Sequence, residues 1–139
     1  MGWIGIDLDG TWAEYHGWRH DGSVGPAIPS VTDLVRGWLT SGKDVRVMTA
    51  RVGWNPRQEP PGDRLSQLQI VREWLVDTLG PELGKRVGIT ATKDYEMDEL
   101  WDDRAVGVEK NTGVQLSPSP NGNDTPEWRR LGTGEDIEA

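Results

Sequence analysis

The chain has 139 residues, no cysteine and a formal net charge of −8 at pH 7. This length fits one domain, and the lack of cysteine excludes disulfide bonds and thiolate metal sites, so the reducing cytoplasm is the expected compartment. The acidic balance argues against a large contact with a nucleic-acid backbone, and the lack of an apolar run of about 18 residues argues against a membrane partner.

The first predicted element is a short apolar strand at residues 3–7, which ends in a cluster of polar residues. A strand that is apolar on both faces is typical of a sheet covered by helices. The cluster at residues 7–11 has the sequence Asp-Leu-Asp-Gly-Thr. It occupies the position where open parallel sheets bind ligands, beyond the carboxyl end of a strand. Taken alone, the same residue types are equally expected in a solvated turn.

Residues 10–29, which we call the flap, are rich in glycine, aromatic residues and histidine and show no helical period. Two interpretations of the aromatic residues are open. One is that they stack on a nucleobase, as aromatic side chains do in nucleotide sites. The other is that one or two tryptophans only anchor the flap to the sheet. The side chains concerned are Trp12, Tyr15, Trp18 and His20.

The spacing of apolar residues predicts two helices. The first covers residues 31–40, with Ser30 as its N-cap and Gly42 as its stop. The second covers residues 63–79. Its apolar residues that are spaced for burial are Leu65, Leu68, Val71, Leu75 and Leu79.

Residues 45–49 and 86–90 are predicted as further strands. Helices and strands that alternate in this way are typical of an α/β fold with a mostly parallel sheet. Because parallel strands end at the same edge of a sheet, Thr49 is expected near Asp7. Lys93 follows the third strand in the same manner.

The last predicted elements are weaker. Residues 100–101 form a short fourth strand that ends in Asp102 and Asp103, and residues 105–109 form a short fifth strand directly after them. From residue 111 to residue 139 the chain is rich in serine, proline, asparagine and glycine, so we expect a flexible tail.

In combination, the residues at these strand ends resemble the motifs of the haloacid dehalogenase superfamily of phosphatases. The resemblance spans residues 3–109 and implies a three-layer Rossmann-like domain over residues 1–110, with a central, mostly parallel sheet. It is poorest at residues 97–101, which are more polar than a buried strand. The matching residues, in motif order, are the Asp-Leu-Asp-Gly-Thr cluster, Thr49, Lys93, and Asp102 with Asp103.

The resemblance implies an Mg²⁺-dependent phosphatase. Asp7 is the expected nucleophile, which forms an aspartyl-phosphate, and Asp9 is the expected general acid and base. Mg²⁺ prefers hard oxygen ligands. According to the resemblance, the Mg²⁺ ligands are Asp7, the backbone carbonyl of Asp9, and one or both of Asp102 and Asp103. A second carboxylate at Asp9 favours turnover over a long-lived phosphoenzyme.

The resemblance also assigns residues to the substrate. Thr49 is expected to donate its hydroxyl to a phosphate oxygen, and Lys93 to neutralise charge on the transferred group. Arg51 either binds a substrate phosphate or pairs with Glu59 or Asp63. The residues expected to bind substrate are Gly10, Thr11, Ala50 and Arg51.

Neither place where this superfamily inserts a cap domain holds enough residues for one, so we expect a capless enzyme. Its site is then bordered by the flap and by residues 52–62, or by a neighbouring subunit of a homo-oligomer. The resemblance extends to small phage-type members, namely polynucleotide 3′-phosphatase domains and deoxyribonucleotidases. Net acidity favours a nucleotide or another small phosphate ester as substrate. The alternatives are a nucleic-acid end, or a non-catalytic nucleotide-binding or regulatory role.

Overall fold

The computed structural model describes residues 2–53 and 64–128, which belong to two compact units, Met1–Asp102 and Asp103–Ala139. Most of the loop at 52–62, with Glu59, and also Asp63 and residues 129–139 lie outside the described residues. The first unit contains β1 (Trp3–Ile6), α1 (Pro29–Thr40), β2 (Asp44–Met48), α2 (Arg64–Leu79), α3 (Pro81–Arg86), β3 (Gly88–Thr90) and β4 (Met97–Trp101).

The sheet confirms the predicted α/β fold with parallel strands. Its strands are all parallel and follow the order β3-β2-β1-β4, which is compatible with a Rossmann-like fold. The chain moves outward from β1 through β2 to β3 and then returns to the other side of β1 to form β4. The order of the strands therefore reverses between β1 and β4, and open α/β sheets bind their ligands at the carboxyl ends of the strands at such a point.

The core lies between one face of this sheet and the helices. Strand residues alternate between faces, so Val45 and Val47 of β2 point to the same side, and both are fully buried. Each such side chain contributes roughly 1.5 to 3 kcal/mol by its burial. The core residues from the sheet and the two long helices include Ile6, Val45, Val47, Val35, Leu39, Val71, Leu75 and Leu79.

Leu65 was expected in this core but is 80% exposed. It lies about 80° around the axis of α2 from Leu75, at the edge of the apolar stripe, and it is in the first turn of the helix. Among residues 2–53 and 64–128, none of the helices combines the length and the apolar composition that a bilayer-spanning helix needs.

The start of α1 also differs from the prediction. Ile28 is the N-cap residue and makes no side-chain capping bond, so the assignment of Ser30 as N-cap is wrong. Pro29 is the reason, because proline has a helical φ and lacks an N–H, which suits the first position of a helix. The end is as predicted: α1 stops at Thr40, and Gly42 has a φ of +83° that turns the chain towards β2.

Three differences concern the end of the first unit. The short helix α3 was not predicted; the φ of +92° at Gly80 turns the chain, and Pro81 begins a new helix. Strand β3 consequently begins at Gly88, later than predicted. Strand β4 is longer than predicted and spans Met97–Trp101, although its register with β1 is irregular.

In the second unit, the predicted strand at 105–109 is wrong. The segment contains an isolated bridge between Val108 and Gln115, and the chain turns back between them through Asn111, whose φ is +70°. Gln115 is buried, and its side-chain oxygen accepts a hydrogen bond from the Thr125 N–H at 2.8 Å. The described part of the predicted tail therefore has hydrogen-bonded turns of its own.

Candidate functional site

Asp7 and Asp102 lie side by side because the strands that precede them are neighbours. The register pairs Ile6 of β1 with Trp101 of β4. The Asp7 N–H also donates to the Trp101 carbonyl at 2.8 Å, so this pairing continues to the last residue before Asp102. The two aspartates thus occupy the carboxyl edge of the sheet at the point where the strand order reverses.

One carboxylate oxygen from each of Asp7, Asp102 and Asp103 lies within 4.8 Å of the other two. Two ligands of one Mg²⁺ or Ca²⁺ ion are separated by roughly 3 to 5 Å, so these atoms can bind the same cation. Asp7 and Asp102 are half-buried and Asp103 is exposed. Carboxylates at this separation repel one another when ionised, and a divalent cation relieves that repulsion. The donor set fits a hard cation but does not by itself select Mg²⁺.

Asp9 has a different environment from Asp7, because its carboxylate binds Arg51. The Arg51 Nε donates to Oδ2 at 2.6 Å, and Nη2 donates to Oδ1 at 2.9 Å. The Arg51 side chain is 4% exposed and that of Asp9 is 18% exposed. This two-point geometry is the strongest form of an arginine–carboxylate pair. Among the described residues, the cation-binding cluster does not include the Asp9 carboxylate.

The other Arg51 donors bind the flap and α2. Nη1 donates to the Gly22 carbonyl and, at 3.1 Å, to Oε1 of Gln67, while Nη2 also donates to the Ser23 carbonyl at 3.3 Å. The guanidinium carbon lies 4.8 Å from the centre of the Trp18 ring, a cation–π contact. The structure thus places Arg51 against Asp9, which was not among the partners expected from the sequence.

Thr49 and Thr11 lie at the same edge of the sheet. Thr49 is 3% exposed, and its hydroxyl oxygen accepts a hydrogen bond from the Arg51 N–H at 3.2 Å, which caps a short 3-10 turn at Ala50–Val52. The Thr11 hydroxyl is 3.5 Å from Oδ2 of Asp7. Gly10, with a φ of +93°, forms the turn that returns Thr11 towards Asp7. Binding of a phosphate by these groups stays a prediction.

Lys93 is not brought to this edge. Oδ1 of its neighbour Asp94 accepts a hydrogen bond from the Trp3 indole N–H at 2.8 Å, and Trp3 is the first residue of β1. The chain has therefore turned towards the amino end of the sheet by Asp94. Lys93 itself is exposed, and within the described residues it has no hydrogen bond or ion pair that links it to the aspartates.

The flap is a short hairpin with a cleft on one side. The Ile28 N–H donates to the Trp12 carbonyl at 2.7 Å, and the Glu14 N–H donates to the Pro26 carbonyl at 2.9 Å. The cleft has a volume of about 200 Å³. It is lined by Asp9 and by flap residues, namely Glu14, Tyr15, His16, Gly17, Trp18, Arg19, Ser23 and Gly25.

The flap aromatics differ in their environments. Trp12 is fully buried, donates from its indole N–H to Thr32 Oγ1 at 2.9 Å, and packs edge-to-face on Trp74 with ring centres 5.1 Å apart. Trp12 therefore anchors the flap. Tyr15 and Trp18 are 42% and 57% exposed and border the cleft, and stacking of a nucleobase on them stays a prediction.

Comparisons with protein-family models, curated proteins and solved structures found no match to this chain. The site itself is defined by Asp7 and Asp102, which meet at one edge of the sheet, and by Asp9, which meets Arg51. The pairing of Asp9 with Arg51 had a signal in the sequence. Both residues lie shortly beyond the ends of predicted strands, and parallel neighbouring strands bring such positions together.

Proposed function

We propose that this protein is an Mg²⁺-dependent phosphomonoesterase of the haloacid dehalogenase type that acts on a nucleotide or a similar small phosphate ester. The observation that supports it most is the approach of the Asp7, Asp102 and Asp103 carboxylates within 4.8 Å, with Asp9 two residues after Asp7 in the sequence. The position of this cluster, where the strand order reverses, adds to that support.

The proposed reaction has two chemical steps. The bound cation would offset the negative charge of the phosphate and of the carboxylates around it. An oxygen of Asp7 attacks phosphorus while the bond to the ester oxygen breaks, and the departing oxygen takes a proton from Asp9. Water then attacks the aspartyl-phosphate and gives its proton to Asp9, which releases phosphate and restores Asp7.

The cleft beside Asp9 supports a substrate with a flat ring. Tyr15 and Trp18 border it and are 42% and 57% exposed, and aromatic side chains of this kind can stack on a base. The net charge of −8 favours a small ester over a polynucleotide, because a polynucleotide brings many additional negative charges. Thr49 and Thr11 are the proposed donors to the phosphate.

Two features of the structure differ from the pattern expected of this superfamily. Helices α1 and α2 pack on the same face of the sheet, as the buried cluster shows, so the described helices do not supply the second helical layer of a three-layer fold. The role of Lys93 as the cation beside the phosphate requires the loop that follows β3 to change its path.

The proposal is tested by a phosphate-release assay with Mg²⁺ on a panel of nucleotides, sugar phosphates and a 3′-phosphorylated oligonucleotide. We expect release from nucleotides by the wild-type protein and by Asp33→Asn, a control for an exposed aspartate on α1, but not by Asp7→Asn. Release from the oligonucleotide alone would favour action on nucleic-acid ends. No release from any ester at any Mg²⁺ concentration would contradict the proposal and favour a binding or regulatory role.

A further inference from the structure

Arg51 connects three parts of the chain that are distant in sequence. Its guanidinium has five N–H donors, and the structure gives five hydrogen bonds from them. The acceptors are the Asp9 carboxylate beyond β1, the flap carbonyls of Gly22 and Ser23, and the Gln67 side chain of α2. Every donor is therefore in use within the protein.

The flap segment that Arg51 binds is shaped for this contact. Gly22 is buried and has a φ of +72°, a backbone conformation that residues other than glycine rarely adopt. A Cβ at Gly22 would lie 2.9 Å from Nε2 of Gln67. The flap backbone thus packs directly against α2 at the point where Arg51 binds both segments.

Arg51 lies behind the wall of the cleft and does not line it. Its side chain is 4% exposed, whereas Asp9, Trp18 and Ser23, which it contacts, all line the cleft. A phosphate in the cleft would have to displace Asp9 or the flap carbonyls to reach the guanidinium. This arrangement fits a residue that acts through its neighbours and does not fit a direct phosphate ligand.

We propose that Arg51 is a positioning residue that fastens the flap to Asp9 and so holds three residues of the cleft wall in place. The contacts of Arg51 alone support the fastening of the flap to Asp9. Its consequence for turnover rests on the proposed function, because only there does the position of the Asp9 carboxylate affect a reaction.

The first test is hydrogen exchange followed by mass spectrometry on Arg51→Lys and Arg51→Met. Lysine keeps the charge but cannot make the paired bonds of a guanidinium. We expect the amides of residues 16–24 to exchange at least about tenfold faster in both variants, whereas β1 exchanges faster only by the factor that the lost free energy of unfolding predicts. The matched controls are Arg46→Lys and Arg46→Met, since Arg46 also binds an aspartate and lies over a tryptophan.

Unchanged exchange at residues 16–24 in Arg51→Lys would overturn the proposal, as would equal acceleration of these residues in the Arg46 controls. If Arg51→Met does not fold, Gln67→Met is measured beside Arg51→Lys in its place. Gln67→Met removes one acceptor of Arg51, so faster exchange at residues 16–24 is expected in it as well. These results do not depend on activity, so they decide the structural role even if the wild-type protein hydrolyses no ester.

The second test separates positioning from phosphate binding in the active protein. For Arg51→Lys we expect kcat to fall by about tenfold or more, while inhibition by inorganic phosphate changes by less than about twofold. Loss of phosphate inhibition by tenfold, with kcat unchanged, would identify Arg51 as a phosphate ligand and overturn the positioning role.

Discussion

Arginine, aspartate and tryptophan side chains meet at both ends of the sheet, but the two groups differ in construction. At the amino end, Arg46 binds Asp44, two residues earlier in the same strand, and lies 4.6 Å from the centre of the Trp3 ring. At the carboxyl end, Arg51 binds Asp9, which follows a different strand. The Arg46 side chain is 34% exposed and the Arg51 side chain is 4% exposed.

This difference shows that residue types alone do not define a site. Arg46 also lies 3.6 Å from Asp94, but an exposed arginine pair contributes little, because solvent screens the charges. A buried pair that joins separate segments is costly to break, since the remaining charge is left without its partner. The carboxyl end also has the cation-binding cluster and the cleft, and the following predictions test the contrast.

The largest difference between the two ends is expected when the aspartate that each arginine binds loses its charge. Asp9→Asn should lower kcat by about 10² to 10⁴, the usual contribution of a general acid and base. Asp44→Asn also breaks an arginine pair but should leave kcat within about twofold. Steady-state assays on the preferred ester measure both. Equal losses in the two variants would show that Asp9 contributes only through folding.

Next in size is the effect of removing each arginine on stability. Arg51→Met should lower the free energy of unfolding by about 2 to 3 kcal/mol, because it leaves Asp9 and the flap carbonyls without their donor. Arg46→Met should cost less than about 1 kcal/mol. Urea unfolding monitored by circular dichroism provides both values. A larger loss for Arg46→Met would reverse the contrast between the two ends.

A smaller effect is expected for cation binding. Asp102→Asn should weaken Mg²⁺ or Mn²⁺ binding by at least about tenfold, since it removes one carboxylate from the cluster. Asp94→Asn is the matched control, because it also removes one carboxylate charge but lies at the amino end of the sheet, outside the cluster. Isothermal titration of each variant with the metal gives the affinities. Unchanged affinity in Asp102→Asn would mean that the cation binds elsewhere.

The smallest effect concerns acid stability at the amino end. The hydrogen bond from the Trp3 indole N–H lowers the pKa of Asp94 below its ordinary value of 3.8. Its contribution to stability is therefore present above about pH 4 and is lost as the pH falls through the lower pKa of the folded protein. Trp3→Phe should make the loss of stability below about pH 4 less steep.

Urea unfolding at a series of pH values measures this slope. Trp3 is 1% exposed, so its replacement also lowers stability at every pH. The quantity to compare is therefore the change of the free energy of unfolding with pH, not its absolute value. In an Asp94→Asn background, Trp3→Phe should change the slope no further. A change of slope that persists in that background would show that another acid is responsible.

The parallel sheet and its polar edge could be predicted from the sequence because they follow from local patterns. Apolar runs identify the strands, and parallel strands bring their last residues to one edge, which is why Thr49 was expected near Asp7. The start of α1 was missed because Pro29 begins a helix more effectively than the serine beside it caps one.

The rest depends on contacts that no local pattern contains. The path of the chain at Lys93 is set by the next strand, which pairs beside β1 and not beside β3. The acidic residues near Arg51 in the sequence were its expected partners, but the parallel pairing of β1 with β2 brings Asp9 to it. Pairing between distant segments therefore decides the parts of the site that the sequence leaves open.

The buried contact of Trp12 with Trp74 also provides an optical reporter. Two indoles with ring centres 5.1 Å apart, held edge-to-face, are close enough for their electronic transitions to couple, which produces paired bands of opposite sign in circular dichroism. One of these rings belongs to the flap and the other to α2. The amplitude of those bands would therefore follow the docking of the flap without any added label.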